Sequence, residues 1–228
     1  MKKLLIITVS IVVVMMSAPA GYVHAGSFNF KIGLVQPSME SDLWEINMAN
    51  LAFEKQDMQS TYFGLEFEHF FGRHLSLSIE GGYYEKEHYS MYRDFVFEDD
   101  SPIYQNLALR ITSLELDFKF YPVGHRTKFY PYLGGGAGIY RWKYEQWGDF
   151  VDAQTWLVSE DEYVESSAYT PGFNGKAGFV VRFSRYLGVS FEARYLYLKG
   201  DLSAFFEGFE KLDMSGFTYS LGLNLFFR

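Results

Sequence analysis

The C-terminal segment constrains the fold more than any other part of the chain. From Gly216 it reads GFTYSLGLNLFFR. Phe217, Tyr219, Leu221, Leu223, Leu225 and Phe227 share one parity, and Thr218, Ser220, Gly222 and Asn224 share the other. A strand turns alternate side chains to opposite faces, so one face is wholly apolar and the other small and polar. A soluble sheet would cover the apolar face with a second layer. A transmembrane barrel turns it to lipid and keeps the polar face inside. The rest of the chain has to decide between these.

The N-terminus bears on that choice. Lys2 and Lys3 precede a short apolar run from Leu4 to Met16, and Val23-His24-Ala25 has a small-x-small form. This is the pattern of a secretory signal peptide over 1–25, which leaves 26–228 as one folded domain. The apolar run is too short for a comfortable spanning helix. Cysteine is absent, which excludes disulfides and thiol chemistry. Taking Lys2 and Lys3 from the 20 basic residues leaves 18 against 28 acidic ones, so nucleic acid is not an expected partner.

The mature chain reads as eight alternating segments. Seven precede the C-terminal one, near 28–35, 61–70, 75–86, 107–120, 128–144, 172–183 and 187–199. In each, apolar residues oppose polar ones. Lys31, Glu66, Glu68, Glu80, Glu115, Asp117, Lys119, Lys176, Arg182, Glu192 and Arg194 all fall on the face opposite the apolar one. A protein core does not hold so many charges unpaired. A narrow lumen holds them paired with one another. The reading is therefore all-β: an eight-stranded antiparallel transmembrane up-and-down barrel, with ten strands if Thr155 to Thr170 forms an extra hairpin. Eight strands enclose a space that side chains just fill, so the expectation is a plugged lumen rather than an open pore. One segment breaks its own alternation. Leu107, Leu109 and Ile111 are odd-numbered, whereas the apolar residues from Leu114 onward are even. A bulge near Thr112, or a strand that starts after it, is expected there.

The connections alternate strictly between short and long. Gly72 to His74, Pro122 to Thr127 and Ser184 to Leu187 are turn-like. Short periplasmic turns and long extracellular loops would place both termini in the periplasm. Aromatic residues then cluster where the membrane interfaces should lie. Phe70, Phe71, Phe120, Tyr121, Phe129, Tyr130, Tyr186 and Phe227 sit at the short-turn ends, and Tyr83, Tyr140, Trp142, Tyr195 and Tyr197 toward the long loops.

With these features the chain resembles the small outer-membrane β-barrel domains of the OmpA/OmpX/OmpW-like kind. The resemblance covers Ser27 to Phe227 and rests on pattern. The run Tyr130-Pro131-Tyr132-Leu133-Gly134-Gly135-Gly136 and the aromatic terminal strand are its nearest local likenesses. It implies an outer-membrane location in a Gram-negative envelope, contact with outer-membrane lipid and lipopolysaccharide, and insertion by the barrel-assembly machinery. Members usually end in Phe; here Arg228 follows Phe227.

No residue set points firmly to chemistry. The glycine run at 134–138 lacks the Lys-Ser/Thr of a phosphate loop. His69 and His74 do not converge with Glu68 if the strand alternates. His88-Tyr89-Ser90 echoes the His-x-Ser pair of barrels that deacylate lipid A, but alternation turns both residues inward, away from lipid. No enzyme, no cofactor and no resident metal site are expected. The long loops are acidic, notably Glu98-Asp99-Asp100 and Glu145 to Pro171, and carry Trp44, Phe53, Phe95, Phe97, Trp147, Trp156 and Phe205. Their carboxylates are candidate contacts for divalent cations. The expected role is non-catalytic, in envelope structure or surface interaction, with passage of small hydrophobic molecules as the alternative and lipid A modification behind it.

Overall fold

The computed structural model describes residues 26–152, 155, 157–206 and 208–227. The expected signal peptide, Trp156 and Arg228 lie outside the described residues. The strands are β1 (Gly26–Pro37), β2 (Ser60–Phe71), β3 (Leu75–His88), β4 (Met91–Val96), β5 (Pro102–Phe120), β6 (Phe129–Val151), β7 (Val158–Arg182), β8 (Leu187–Tyr197), β9 (Lys199–Gly200), β10 (Leu212–Asp213) and β11 (Gly216–Phe227). Among the described residues the one α-helix, α1 (Asp42–Asn50), lies in the first long loop.

Eight of these strands form a ring in the order β1-β2-β3-β5-β6-β7-β8-β11, every pairing antiparallel. The ring closes where β11 meets β1, from Gly26 opposite Phe227 to Pro37 opposite Gly216. Closure leaves the ring without a free edge, which is what a strand-built membrane span requires. β4 pairs only with the outer part of β5, and β9 with β10 makes a two-residue ladder.

The alternation read from sequence is the alternation of the walls. Along β11 exposed and buried residues alternate without a break. Phe30, Ile32, Phe63, Leu65, Leu116, Phe118, Leu133, Phe173 and Leu221 are among the exposed outer residues. On β11 the apolar face runs from Phe217 to Phe227, about the span a tilted transmembrane strand needs. β6 has 23 residues and β7 has 25, so their hairpin continues well past that band. From Val158 to Thr170 the expected extra hairpin is instead the outer part of wall strand β7, paired with β6. Where it begins to bend, the register shifts between Gly148 and Phe150, and Gly148 has φ 120°. Glycine fits there because an L side chain does not.

The expected bulge near Thr112 is not present. β5 pairs without a register shift with β3, from Leu75 opposite Phe120 to His88 opposite Leu107. It pairs equally evenly with β6. Leu107 and Leu109 point inward, on the same face as Glu115 and Asp117. The strand keeps its face, and the interior changes from polar to apolar along it.

Candidate functional site

The barrel interior gathers buried charge, and it is layered. Its middle layer is ionic. Lys31, Lys119, Lys176 and Arg194 are buried with Glu66, Glu68, Glu80, Glu115, Asp117 and Glu192. Each sits on an inward position of a wall strand. Lys31 Nζ reaches Glu66 at 2.8 Å, Glu80 at 2.9 Å and Glu192 at 2.9 Å. Lys176 bridges Glu80 at 3.0 Å and Asp117 at 2.8 Å. Lys119 pairs with Glu66 and lies 3.8 Å from Glu68, and Arg194 pairs with Glu115 at 2.7 Å. Burying an ion costs several kcal/mol, so each charge here needs more than one partner.

The acids outnumber the buried cations, and neutral donors make up the difference. The Tyr62 hydroxyl donates to Glu80 at 2.7 Å and that of Tyr132 to Glu192 at 2.7 Å. Tyr121 and Ser76 both donate to Glu68. Asn174 donates to Glu115 and Asp117, each at 2.8 Å. These donors share the parity of the acids. Tyr62 shares its parity with Glu66 and Glu68, and Asn174 with Lys176, so alternation alone turns both inward. Parity is the signal that finds them.

The glycine run of β6 makes room for this layer. A Cβ on Gly136 would run into the Leu116 carbonyl and the Asp117 carboxylate, and one on Gly138 would lie 2.8 Å from Glu115 Cγ. Elsewhere an inward ring lies over glycine, as Tyr132 does over Gly178.

Toward the long loops the interior becomes apolar. Leu107, Leu109, Trp142, Tyr144 and Leu196 face inward from the walls, and Trp44, Phe53, Phe206, Leu212 and Met214 fold in from the loops. Trp44, on α1, is fully buried; its ring meets Tyr144 edge-on at 5.1 Å and its Nε1 donates to the Asp213 carbonyl at 2.8 Å. Asn47 donates to the Tyr144 hydroxyl at 2.8 Å and Gln146 to Asn47 at 3.0 Å. The first long loop is thus folded into the barrel mouth. Where the two layers meet, a cavity of about 30 Å³ lies between Tyr62, Tyr140, Arg194 and Met214, room for about one water.

At the short-turn end the floor is aromatic: Phe70, Tyr121, Tyr130, Tyr132 and Phe226. This corrects the expected girdle. Phe70, Tyr121, Tyr130, Tyr140 and Trp142 are interior, each no more than 6% exposed. The reason is parity. In Phe70-Phe71, Phe120-Tyr121 and Phe129-Tyr130, only one ring of each pair can face out. Phe71, Phe120, Phe129, Tyr186, Phe227, Tyr83, Tyr195 and Tyr197 are the exposed ones. Arg182 also departs from expectation. It is half-buried at the floor, with its guanidinium 3.9 Å from the Phe226 ring centre and no ion-pair partner among the described residues. Its strand position lies below the carboxylates.

The remaining candidates do not assemble. The Ser90 hydroxyl donates to the Ala52 carbonyl at 3.2 Å, and His88 Nε2 lies 3.9 Å from Asp57. His74 Nδ1 lies 2.8 Å from the Tyr121 carbonyl, and His69 packs on Phe71, while Glu68 is inside. Among the described residues no group of three or more His, Asp or Glu is placed to hold a metal ion. At the outer end of the β6–β7 hairpin, Lys143 sits between Glu145 at 2.8 Å and Glu165 at 2.7 Å. At Glu145 burial is the largest single influence and works upward, but the hydrogen bonds with Lys143 and Tyr163 together outweigh it; the same two partners act on Glu165, and both carboxyls are held below the usual range.

A closed eight-stranded ring, apolar outside and ionic within, is a β-barrel of the outer-membrane type. Among solved structures the chain is similar in fold to OprG, an outer membrane protein of Pseudomonas aeruginosa, with a TM-score of 0.55 and 15% identity over 90% of this chain and 97% of that one. Neisserial surface protein A aligns with a TM-score of 0.48 and 11% identity over 89% of this chain and 95% of that one. No family model and no curated protein matches the sequence.

Proposed function

We propose that the chain is a non-catalytic, integral outer-membrane barrel that contributes to envelope structure or surface interaction. Both termini and the short turns face the periplasm, and the acidic loops face outward. One observation carries this reading. The interior is filled along its length, first by rings, then by ions, then by apolar side chains. Such a barrel holds its place in the bilayer and carries no steady flow of ions. Planar-bilayer recording of the refolded mature protein tests it. No sustained conductance is the expected result; stable single-channel steps would overturn it.

A second reading has an observation of its own. The outer part of the interior is apolar, and the cavity below it also touches Tyr83, an exposed wall residue. That arrangement suits transit of a small apolar molecule from the mouth to the lipid. Uptake of such a molecule by cells with and without the protein separates the readings, since a purely structural barrel leaves uptake unchanged.

A further inference from the structure

The two ends of the barrel carry opposite charge. The outer end of the β6–β7 hairpin holds Asp149, Asp152, Glu160, Asp161 and Glu162 without a base between them. The short-turn end holds Arg73, Arg126, Lys128, Arg182 and Arg185 without an acid in any of its three turns. Among the described residues none of these five cations has a carboxylate within ion-pair distance. Inside the barrel, Glu68 is buried and already takes hydrogen bonds from Tyr121 and Ser76.

The three turns are tied into one surface. The His125 amide donates to the Arg73 carbonyl at 3.0 Å, that of Tyr121 to His74 at 2.8 Å and that of Arg182 to Lys128 at 2.7 Å. The Arg73 side chain lies across Gly124 of the neighbouring turn, where φ is 79° and a Cβ would come 2.6 Å from Arg73 Cγ. Arg73, Arg126, Lys128 and Arg185 are exposed. Their height is also set. Exposed Phe71, Phe129, Tyr186 and Phe227 mark the edge of the lipid-facing band, and Arg185 lies 5.4 Å over the Tyr186 ring. Rings at the band edge sit at headgroup level. The cations beside them therefore stand where lipid phosphates stand.

We propose that this surface binds the phosphodiester headgroups of anionic glycerophospholipids in the leaflet at the short-turn end. Charge complementarity selects this occupant. Among the described residues these four exposed guanidinium or ammonium groups at headgroup height have no carboxylate within ion-pair distance, and each attracts an anionic surface by about 1 kcal/mol. Guanidinium groups suit phosphate oxygens because they donate in a fork. The selectivity is for net negative charge, so a zwitterionic headgroup competes poorly. The proposal rests on the reading of the chain as a membrane-embedded barrel.

The test is lipid selectivity in vesicles. The mature chain is refolded into phosphatidylcholine containing trace spin-labelled phosphatidylglycerol or spin-labelled phosphatidylcholine, and the motionally restricted fraction of each is measured. The proposal expects the anionic label to associate at least about threefold more strongly. The quadruple variant R73Q/R126Q/K128Q/R185Q should lose that preference, and the single exposed-turn variant Arg185→Glu should weaken it. The variant D149N/E160Q, at the other end, should keep it. Adding 20 mM inorganic phosphate separates a headgroup site from one for free phosphate. A preference that survives supports the headgroup; one that vanishes overturns it. Equal association of the two labels with the inserted wild-type protein also overturns the proposal. Failure of the wild-type chain to insert would overturn the barrel reading itself.

Discussion

The ionic and apolar layers of the interior fill the same barrel in different ways. The ionic layer is built wholly from wall strands. Lys31, Glu66, Glu80, Lys119, Lys176 and Glu192 come from β1, β2, β3, β5, β7 and β8, so the layer ties the ring across its bore. The apolar layer is half wall and half visitor. Trp142 and Tyr144 belong to β6, but Trp44 comes from the first long loop and Phe206 and Met214 from the last. The first layer cannot come apart without opening the barrel. The second can lose its loop residues and leave the walls standing. Polar bonds within a closed ring make the global fold, and the loop core makes a local one.

The largest expected effect tests the ionic layer. Glu80 is shared by Lys31 and Lys176 and also accepts from Tyr62. Glu80→Ala leaves two buried ammonium groups short of a partner. Breaking a buried pair costs about 3–5 kcal/mol, and the loss should appear in urea unfolding in detergent as one global transition at lower midpoint. A loss under about 1 kcal/mol would mean that water already fills the bore.

Trp44→Ala comes next. It removes a fully buried ring and its bond to Asp213. Burial of that size corresponds to about 3–5 kcal/mol in a core that unfolds as a unit. Here the loss should be confined to the mouth. Hydrogen exchange should rise over α1 and β10 and stay unchanged in β1 and β11, and the barrel should remain closed to ions. Faster exchange throughout the ring would erase the distinction between the layers.

Gly136→Ala should cost about 1–3 kcal/mol, because a methyl group there displaces backbone or carboxylate that has nowhere to go. Gly175 faces outward with open space around it. Gly175→Ala should stay within about 0.5 kcal/mol, as surface changes usually do. The pair, read by the same unfolding assay, separates interior crowding from strand propensity.

The contrast between layers also explains what could be read from the chain. Outward parity was legible in all eight walls, because lipid selects apolar residues at every second position. The inward charges were legible because they share the other parity. Their pairing partners were not, since alternation gives a face and not a neighbour across the bore. Leu107, Leu109 and Ile111 read as a register slip only if the inside is polar throughout. They are inward residues of a different layer. Position along the strand puts Phe70 and Tyr121 at the interface, but parity turns both inward. α1 has almost no amphipathic stripe in its sequence, and it buries Leu43, Trp44 and Asn47 only because the barrel mouth surrounds it.

The smallest expected effect lies at the floor, below both layers. His125 is buried against Phe70, with ring centres 4.2 Å apart, and its Nδ1 lies 3.0 Å from the Arg73 carbonyl. Burial, helped by the charges of Arg182, Arg126 and His74, holds its imidazole below the usual histidine range. The unfolded chain therefore takes up this proton before the folded one does. Stability from this group is complete above the ordinary histidine value of about 6.5 and is lost as pH falls toward the folded value. Thermal unfolding in detergent should show a slightly lower Tm at pH 5.5 than at pH 7.5, and His125→Gln should flatten that slope. An unchanged slope in the variant would move the acid sensitivity from the floor to the carboxylates above it, and the ionic layer would then be less sealed than its burial implies.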